Sequence, residues 1–569
     1  MVRMIRVDVN NGNVREEPVA EDRLWMAGRA LTSRLLQEEV DPGCDVFGAS
    51  NKLIISAGLL AGTTVSSANR LSVGGKSPLT ETIKESNAGG NVAYKMGRMG
   101  IRGIILEGLP ADDQLKIIHV SQAGTTIQAA DEYREMTTYQ AAEKLKEKFG
   151  PKVGLVLIGP AGEHKSLAAA LAVTDHEGRP SRFAGRGGLG ALMGSKGIKA
   201  LVVDDQGAKG PAIADEDKFK TLRTAVAQEI LNNEQVANSY TKFGTAGIVT
   251  MTNGMGALPT RNFSRGSFEE VEAISGQRMY DVITSRGGEG NPSHACMPGC
   301  VIRCSNVYPD EDGKELVSPV EYETIGLMGS NCGIGDLDII AKLNYQCNDL
   351  GLDTIDMGGA IAIAMEAGVI EFGDGKGALG LMDEIRRDTW LGRILASGGQ
   401  RTGEVLGVRR IPSSKRQIMA AYDPRAIKGM GVTYATSTMG ADHTTGTTLR
   451  SPVEHTKPEG QVEASREARW INTLHDCVGT CFFLGGAINK KFEWLAQLVT
   501  AVYGKPCELD DLMQIVKDTL RSERDFNRRA GFNEADDRLP EFFYTEENPD
   551  AKTVFDISQE DMQRVHEEL

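Results

Sequence analysis

Hydrophobic and polar positions change their period near residue 206. Before it, short apolar runs stand between turn signals. Met1–Val9 alternates like a strand. Leu53-Ile-Ile-Ser, Gly103-Ile-Ile-Leu-Glu-Gly, Lys116-Ile-Ile-His-Val, Val153-Gly-Leu-Val-Leu-Ile-Gly and Ala200-Leu-Val-Val-Asp also read as strands. Tyr139–Phe149 reads as an amphipathic helix. The pattern is strand-rich α+β and does not alternate as a doubly wound sheet would. A polar stretch at Gln206–Pro211 marks a boundary, and helical spacing follows over Asp215–Asn232, Asp336–Leu350 and Ile355–Gly368. Asp336 suits an N-cap, and Gly351 suits the left-handed position that ends a helix. A loop-rich stretch at Arg410–Tyr422 precedes helices around Ala464–Cys477, Lys490–Tyr503 and Leu509–Asn527. The acidic tail after Thr545 is left open between packing and fraying.

The charge balance, 63 basic against 78 acidic residues, gives −15 and disfavours nucleic acid or anionic membrane as the main partner. The N-terminus is too polar for a signal peptide. No apolar run approaches the roughly 18 residues of a membrane span. The nine cysteines are odd in number and mostly scattered, which suits a reducing compartment better than a disulfide framework. The expected location is the cytoplasm.

Three of those cysteines fall together in Cys296-Met-Pro-Gly-Cys300-Val-Ile-Arg-Cys304, and a remote fourth lies in Asp476-Cys477-Val-Gly479-Thr-Cys481. Three close thiols plus a distant one suit a four-iron cluster, each iron taking one thiolate. Zinc also takes four thiolates, and unliganded cysteines are the remaining reading. Zinc sites usually show two CxxC knuckles, which are absent here. Asn348-Asp-Leu-Gly351-Leu-Asp353 and Asp476-Cys-Val-Gly479-Thr-Cys481 share the pattern Asn/Asp-x-x-Gly-x-Asp/Cys. Both fall where a helical pattern breaks at glycine; two ordinary helix ends would look the same.

With these segments stand Ser66-Ser-Ala-Asn-Arg70-Leu-Ser-Val, Glu85-Ser-Asn87-Ala-Gly-Gly90, Ala184-Gly-Arg-Gly-Gly-Leu-Gly-Ala-Leu-Met-Gly194-Ser-Lys196, Glu321-Tyr-Glu323-Thr, Gly329-Ser-Asn-Cys-Gly333, Asp423-Pro-Arg-Ala-Ile-Lys-Gly-Met-Gly431 and Gly440-Ala-Asp-His443. In this order and over nearly the whole chain, they resemble the catalytic subunit of the aldehyde:ferredoxin oxidoreductase family of tungsten-pterin enzymes. The resemblance implies a β-rich base domain of two related sheets over 1–208 and mainly helical domains over 209–415 and 416–569. It also implies a tungsten bis-pyranopterin, one 4Fe-4S cluster, and a magnesium ion bridging the pterin phosphates. Molybdenum is the alternative metal, since the dithiolenes bind either. Cys296, Cys300, Cys304 and Cys481 would hold the cluster, with Cys477 a weaker candidate for the fourth place. The backbone carbonyls of Asn87 and Ala184 would hold magnesium, which favours oxygen ligands. Arg70 and the run Gly185, Arg186, Gly187, Gly188 would lie near the phosphates. Asn348, Gly351, Leu352 and Asp353 would hold one pterin; Asp476, Gly479 and Thr480 would hold the other.

The implied reaction is oxidation of an aldehyde to its acid. Electrons would leave singly for ferredoxin or an iron–sulfur partner subunit. The implied acid/base pair is His443 with a glutamate; spacing from the last cysteine favours Glu321 over Glu323. Two departures stand out. The common cluster pattern is CxxCxxxC, against CxxxCxxxC here, with Pro298-Gly299 available to absorb the extra residue. Asn348 replaces the commoner aspartate. Some members share a mononuclear iron between subunits through Glu-x-x-His, a pattern this chain lacks; either a homo- or a hetero-oligomer remains open. The alternatives are a benzoyl-CoA reductase-type tungsten enzyme, which needs a cysteine at the metal and has only Cys332 to offer, and a non-catalytic iron–sulfur scaffold.

Overall fold

The computed structural model describes residues 2–569. Residues 3–203 form two six-stranded sheets of identical topology. In spatial order the first runs Val14–Pro18, Arg3–Asp8, Ile101–Glu107, Leu53–Ala57, Leu71–Lys76, Ile83–Ala88. The second runs Gly124–Ala129, Lys116–Ser121, Ile198–Val203, Gly154–Leu157, Leu171–Val173, Arg182–Ala184. In each, the first and last strands in sequence pair in parallel, and the remaining neighbours pair antiparallel. Each sheet has a helix between its second and third strands, Gly28–Glu39 and Thr138–Phe149, and another before its last, Val92–Arg98 and Leu189–Ser195.

Alternate side chains divide between two layers, as the two-residue period of a strand requires. Ile5, Val7, Leu53, Ile55, Leu71 and Val73 meet Ile118, Val120, Val156, Leu171, Leu201 and Val203 in a shared core between the sheets. On the outer faces, Met4, Ile54 and Ile105 pack on Leu31 and Leu35. Ile117, Leu155 and Val202 do the same on Ala141 and Leu145. Strands buried on both faces read as continuous apolar runs, hence the unclear alternation in sequence.

Above the sheets the fold is helical. Glu216–Asn232, Leu337–Leu350 and Thr354–Glu366 match the expected helices, with Asp215, Asp336 and Asp353 accepting hydrogen bonds as N-caps. Gln461–Val478, Glu493–Tyr503 and Leu509–Arg529 follow. Their apolar faces join Phe219, Val226 and Ile230 of the first of these helices in one core. The largest core joins residues 246–441 to Leu539, Phe543, Phe555 and Ile557, so the C-terminal tail packs.

Candidate active site

The duplication of the sheets is repeated in what docks on them. The helix Leu337–Leu350 ends at Gly351 (φ +78°), and Gln461–Val478 ends at Gly479 (φ +82°). These are left-handed positions that glycine occupies without strain. Each turn sits on a glycine just beyond the third strand of its sheet. A Cβ on Gly159 would come within 2.3 Å of the Leu350 carbonyl oxygen, and one on Gly58 within 2.3 Å of the Val478 oxygen. The next hydrogen bonds also correspond. Ala170 N donates to Gly351 O at 2.9 Å, and Arg70 N donates to Gly479 O at 3.0 Å. Asp353 N donates to Ala168 O, and Cys481 N to Ser67 O. The two similar sequence turns thus occupy equivalent places on two equivalent sheets.

Between them lies a cavity of about 520 Å³. Among the residues singled out in sequence, Arg70, Asn87, Gly185, Arg186, Cys296, Cys304, Glu321, Asn348, Leu352, Asp353, His443 and Cys481 line it. Cys300 lies just behind, its Sγ 3.4 Å from Ser67 Oγ. The turn residues Gly351, Asp476, Gly479 and Thr480 and the strand residue Ala184 stand outside the lining. Gly187 and Gly188 also pack away from it, against the Lys84 side chain and the Leu167 carbonyl. Of the glycine-rich run, Gly185 and Arg186 face the cavity.

The four thiols are unpaired and close enough to act on one another. Burial and the Glu321, Cys481 and Cys300 charges push Cys304 well up, while a hydrogen bond with Cys296 draws Cys300 down to about 6. Gly89 and Gly90 shape the other side: a Cβ on Gly89 would stand 3.3 Å from Cys296 Sγ, and Gly90 N donates to Cys296 O. Gly299, at φ +76°, has open space around it and carries the longer spacer outward. Cys477 faces elsewhere, 3.9 Å from Thr519 Oγ1, and burial raises it to about 12.

Arg70 bonds Asn87 through both its side-chain and backbone oxygens, and among the described residues it forms no ion pair. Arg186 is buried; it donates to Asp353 at 3.2 Å and to the carbonyls of Ala441 and Ile418 at 2.8 and 2.5 Å. It thereby ties the second sheet to both halves of the helical layer. Burial and the neighbouring Glu85 charge raise the Asp476 carboxyl well above the usual range, against the pull of Arg29 at 3.3 Å. Arg29 in turn is gripped at two atoms by buried Glu523, both at 2.8 Å.

Spacing favoured Glu321 as the partner of His443, but the structure brings Glu323 there. Glu323 Oε1 lies 3.5 Å from His443 Nε2, and Oε2 accepts from Ala421 N at 2.7 Å. Among the described residues, Oε1 and His443 Nδ1 are buried without a hydrogen-bond partner, which leaves polar atoms free for a bound group. Glu321, two residues earlier, turns to the loop that carries Cys296, Cys300 and Cys304. It accepts from Ser305 at 3.1 Å and from Thr245, with Arg182 at 3.8 Å. Burial raises its carboxyl, opposed by the Arg182 charge. His443 is held by a residue that sequence reading missed. Asp442 caps its turn, accepting from Thr444 N, and receives 2.7 Å from buried Lys84 of the first sheet. Only the position of Asp442 before His443 could have signalled it.

Aldehyde ferredoxin oxidoreductase models match the chain almost throughout: the N-terminal domain over residues 4–205, and domains 2 and 3 over residues 221–568. The tungsten-containing aldehyde ferredoxin oxidoreductase of Thermococcus kodakarensis is 31% identical over 96% of this chain and 92% of that protein. That of Pyrococcus furiosus is 30% identical over the same shares. The WOR-like subunit of a Pyrococcus furiosus aliphatic sulfonate oxidoreductase is 26% identical over 79% of this chain and 75% of its own length. Among solved structures, the BamBC active-site complex of benzoyl coenzyme A reductase with dienoyl-CoA superposes with a TM-score of 0.81 at 19% identity, covering 99% of this chain and 93% of that one, a likeness of fold. Among the described residues, no helix is long and apolar enough to cross a membrane. With matches spanning both halves of the chain and whole-length relatives above 30% identity, this protein belongs to the aldehyde ferredoxin oxidoreductase family of tungsten oxidoreductases.

Proposed function

We propose that this enzyme oxidises an aldehyde to its carboxylic acid and passes the electrons through a 4Fe-4S cluster to a ferredoxin or an iron–sulfur partner subunit. The observation that carries the reading is the Glu323–His443 pair facing one cavity with Cys296, Cys304 and Cys481. The residues fit the family's cofactors. Four thiols that influence one another's charge suit an iron–sulfur cube. Arg70, without an acidic partner among the described residues, suits a phosphate, and the Asn87 carbonyl would hold magnesium, with Ala184 its second ligand only by the family resemblance. Asn348, Leu352 and Asp353 would contact one pterin, and Asp476, Gly479 and Thr480 the other. When bound, the tungsten bis-pyranopterin supplies two-electron redox chemistry.

The chain manages protons and position. In this reading His443 Nε2 donates to the carbonyl oxygen as it gains charge, and Glu323 Oε1 accepts the proton of the attacking water. Ala421 N fixes the glutamate, and the Asp442–Lys84 pair fixes the turn that carries the histidine. Overall, aldehyde and water give acid, two protons and two electrons. Glu321, bound to Thr245, Ser305 and Arg182, orders the cluster loop instead. Cys332 donates to the Leu327 and Gly358 carbonyls and does not line the cavity, so it offers no metal ligand.

The test is dye-linked aldehyde oxidation by anaerobically purified, metal-analysed protein. Glu323→Gln and His443→Ala should each retain tungsten and iron but lower kcat by about 10²–10⁴-fold, the usual range for a general acid or base. Glu321→Gln should disturb the cluster spectrum more than turnover. Wild-type kcat in Glu323→Gln would remove that residue from the mechanism.

A further inference from the structure

Four arginines line the cavity, and three are engaged there. Arg182 bonds Ser305 at 2.8 Å and His294 at 3.2 Å, Arg186 bonds Asp353, and Arg70 bonds Asn87 beside the proposed phosphates. Arg450 differs. It is exposed, and among the described residues it makes neither a side-chain hydrogen bond nor an ion pair. Its guanidinium carbon stands 5.5 Å from the centre of the Tyr240 ring, which packs on Phe483 with centroids 4.7 Å apart. The lining carboxylates are all engaged. Glu321 faces Thr245 and Ser305, Glu323 faces Ala421 N and His443, Asp353 faces Arg186, and Asp442 faces Lys84. The uncommitted charge at the exposed end of the lining is therefore the positive one on Arg450, in a chain of net charge −15.

We propose that Arg450 receives the carboxylate of an anionic substrate. Resting on the aldehyde-oxidation reading, the substrate class is then an aldehyde that carries a carboxylate at its far end. Its hydrocarbon body would lie along Tyr240, Phe483 and Leu449, all of which line the cavity. A guanidinium offers two parallel N–H groups to a carboxylate, and the contact with the Tyr240 ring does not consume those donors. A neutral aldehyde leaves the fork in water and gains nothing from it. In the reaction, the aldehyde carbon takes an oxygen from water and gives up its hydrogen. Two electrons pass to the iron–sulfur acceptor and the protons to solvent, while the distal carboxylate is unchanged.

The experiment compares kcat/KM of the tungsten-loaded holoenzyme for succinate semialdehyde against butanal and for adipate semialdehyde against hexanal. Two lengths are used because the span from Arg450 to the reacting carbon is itself a variable. For at least one pair the carboxylate should be preferred. Arg450→Gln should cut that preference by about 10–100-fold, chiefly through KM, which is what a hydrogen bond to a charged group is worth. Arg450→Lys should restore part of it, and added salt should weaken it in the wild type. The inference is overturned if no pair shows the preference, or if Arg450→Gln leaves the ratio unchanged. If no aldehyde is oxidised, the reaction reading fails. Calorimetric binding of adipate to wild type and Arg450→Gln then decides the Arg450 assignment alone: a Kd raised at least tenfold supports it, and equal Kd values refute it.

Discussion

Replacing Lys84 by methionine tests whether the base sheet holds the turn that carries His443. The Lys84 side chain is fully buried and that of Asp442 is 5% exposed, with 2.7 Å between Nζ and Oδ2. Methionine keeps most of the stem but leaves the carboxylate buried without its nearest cation. Removing one partner of a buried pair typically costs about 3–5 kcal/mol, since the remaining charge stays desolvated. Arg186 also holds Asp442 down electrostatically, so the lower figure, about 3 kcal/mol, applies. For a cooperative unit of about 200 residues that is a fall in Tm of about 6–12 °C. The sign with pH follows from Asp442, whose carboxyl is held far below the usual range by Lys84 and Arg186 against burial. Its contribution is present above the unfolded carboxylate pKa, about 4, and is lost only as pH falls through the depressed folded value. Without Lys84 that folded value rises, so the gap between wild type and variant should narrow as the medium is acidified. Differential scanning calorimetry of wild type, Lys84→Met, Asp442→Asn and the double variant provides the assay, with Tm as the operational index for a multidomain chain. Additive single-variant shifts, or a Lys84→Met Tm within 1 °C of the wild type by a scan of about that precision, would refute a buried pair of this strength.

The remaining tests are narrower. Cys300→Ser should lose the brown absorbance and about four irons per chain, whereas Cys477→Ser should keep both, because Cys477 faces Thr519; iron analysis and visible spectra decide. Gly58→Ala and Gly159→Ala should each lower pterin content at unchanged expression, since either new Cβ would stand 2.3 Å from a carbonyl of its docked turn. Pterin release on oxidation, measured by fluorescence, checks this, and full pterin in both variants would detach the turns from cofactor binding.

The strands and helices visible in the sequence are those whose side chains pack with a single period. Leu53–Ala57 and Ile198–Val203 are mainly apolar and buried on both faces, and Leu337–Leu350 carries a cap at each end. Leu71–Lys76 and Ile83–Ala88 escaped notice because they are buried while polar. Lys76 is satisfied by the carbonyls of Pro42 and Cys44, Lys84 by Asp442, and Asn87 by Arg70 and Ser72. Each partner is distant in sequence, so no local pattern announces it. The proximity of Glu323 to His443 is illegible in the sequence for a related reason. Glu321 and Glu323 are two residues apart at the start of a helical segment, where Glu321 is still extended (ψ 164°) and Tyr322 begins the helix. Their side chains therefore diverge, one to the cysteine loop and one to His443, and spacing from Cys304 cannot separate them.

The sheet duplication gives the site its shape, and its departures from symmetry give the site its direction. Gly58 and Gly159 seat equivalent turns, yet the equivalent positions that follow differ. One is Asp353, whose carboxylate caps the helix Thr354–Glu366 and meets Arg186. The other is Cys481, whose thiol joins Cys296, Cys300 and Cys304. Arg186 likewise stands beyond the last antiparallel strand of the second sheet, whereas the corresponding stretch of the first sheet, Gly89-Gly90, is bare so that Cys296 can approach. A cofactor with two like halves would thus meet like backbone on both sides but thiols on only one. On the proposed reading, electrons leave toward the first sheet and the Cys481 turn. Arg186 would hold the other half, and it also donates to the Ala441 carbonyl, two residues before His443.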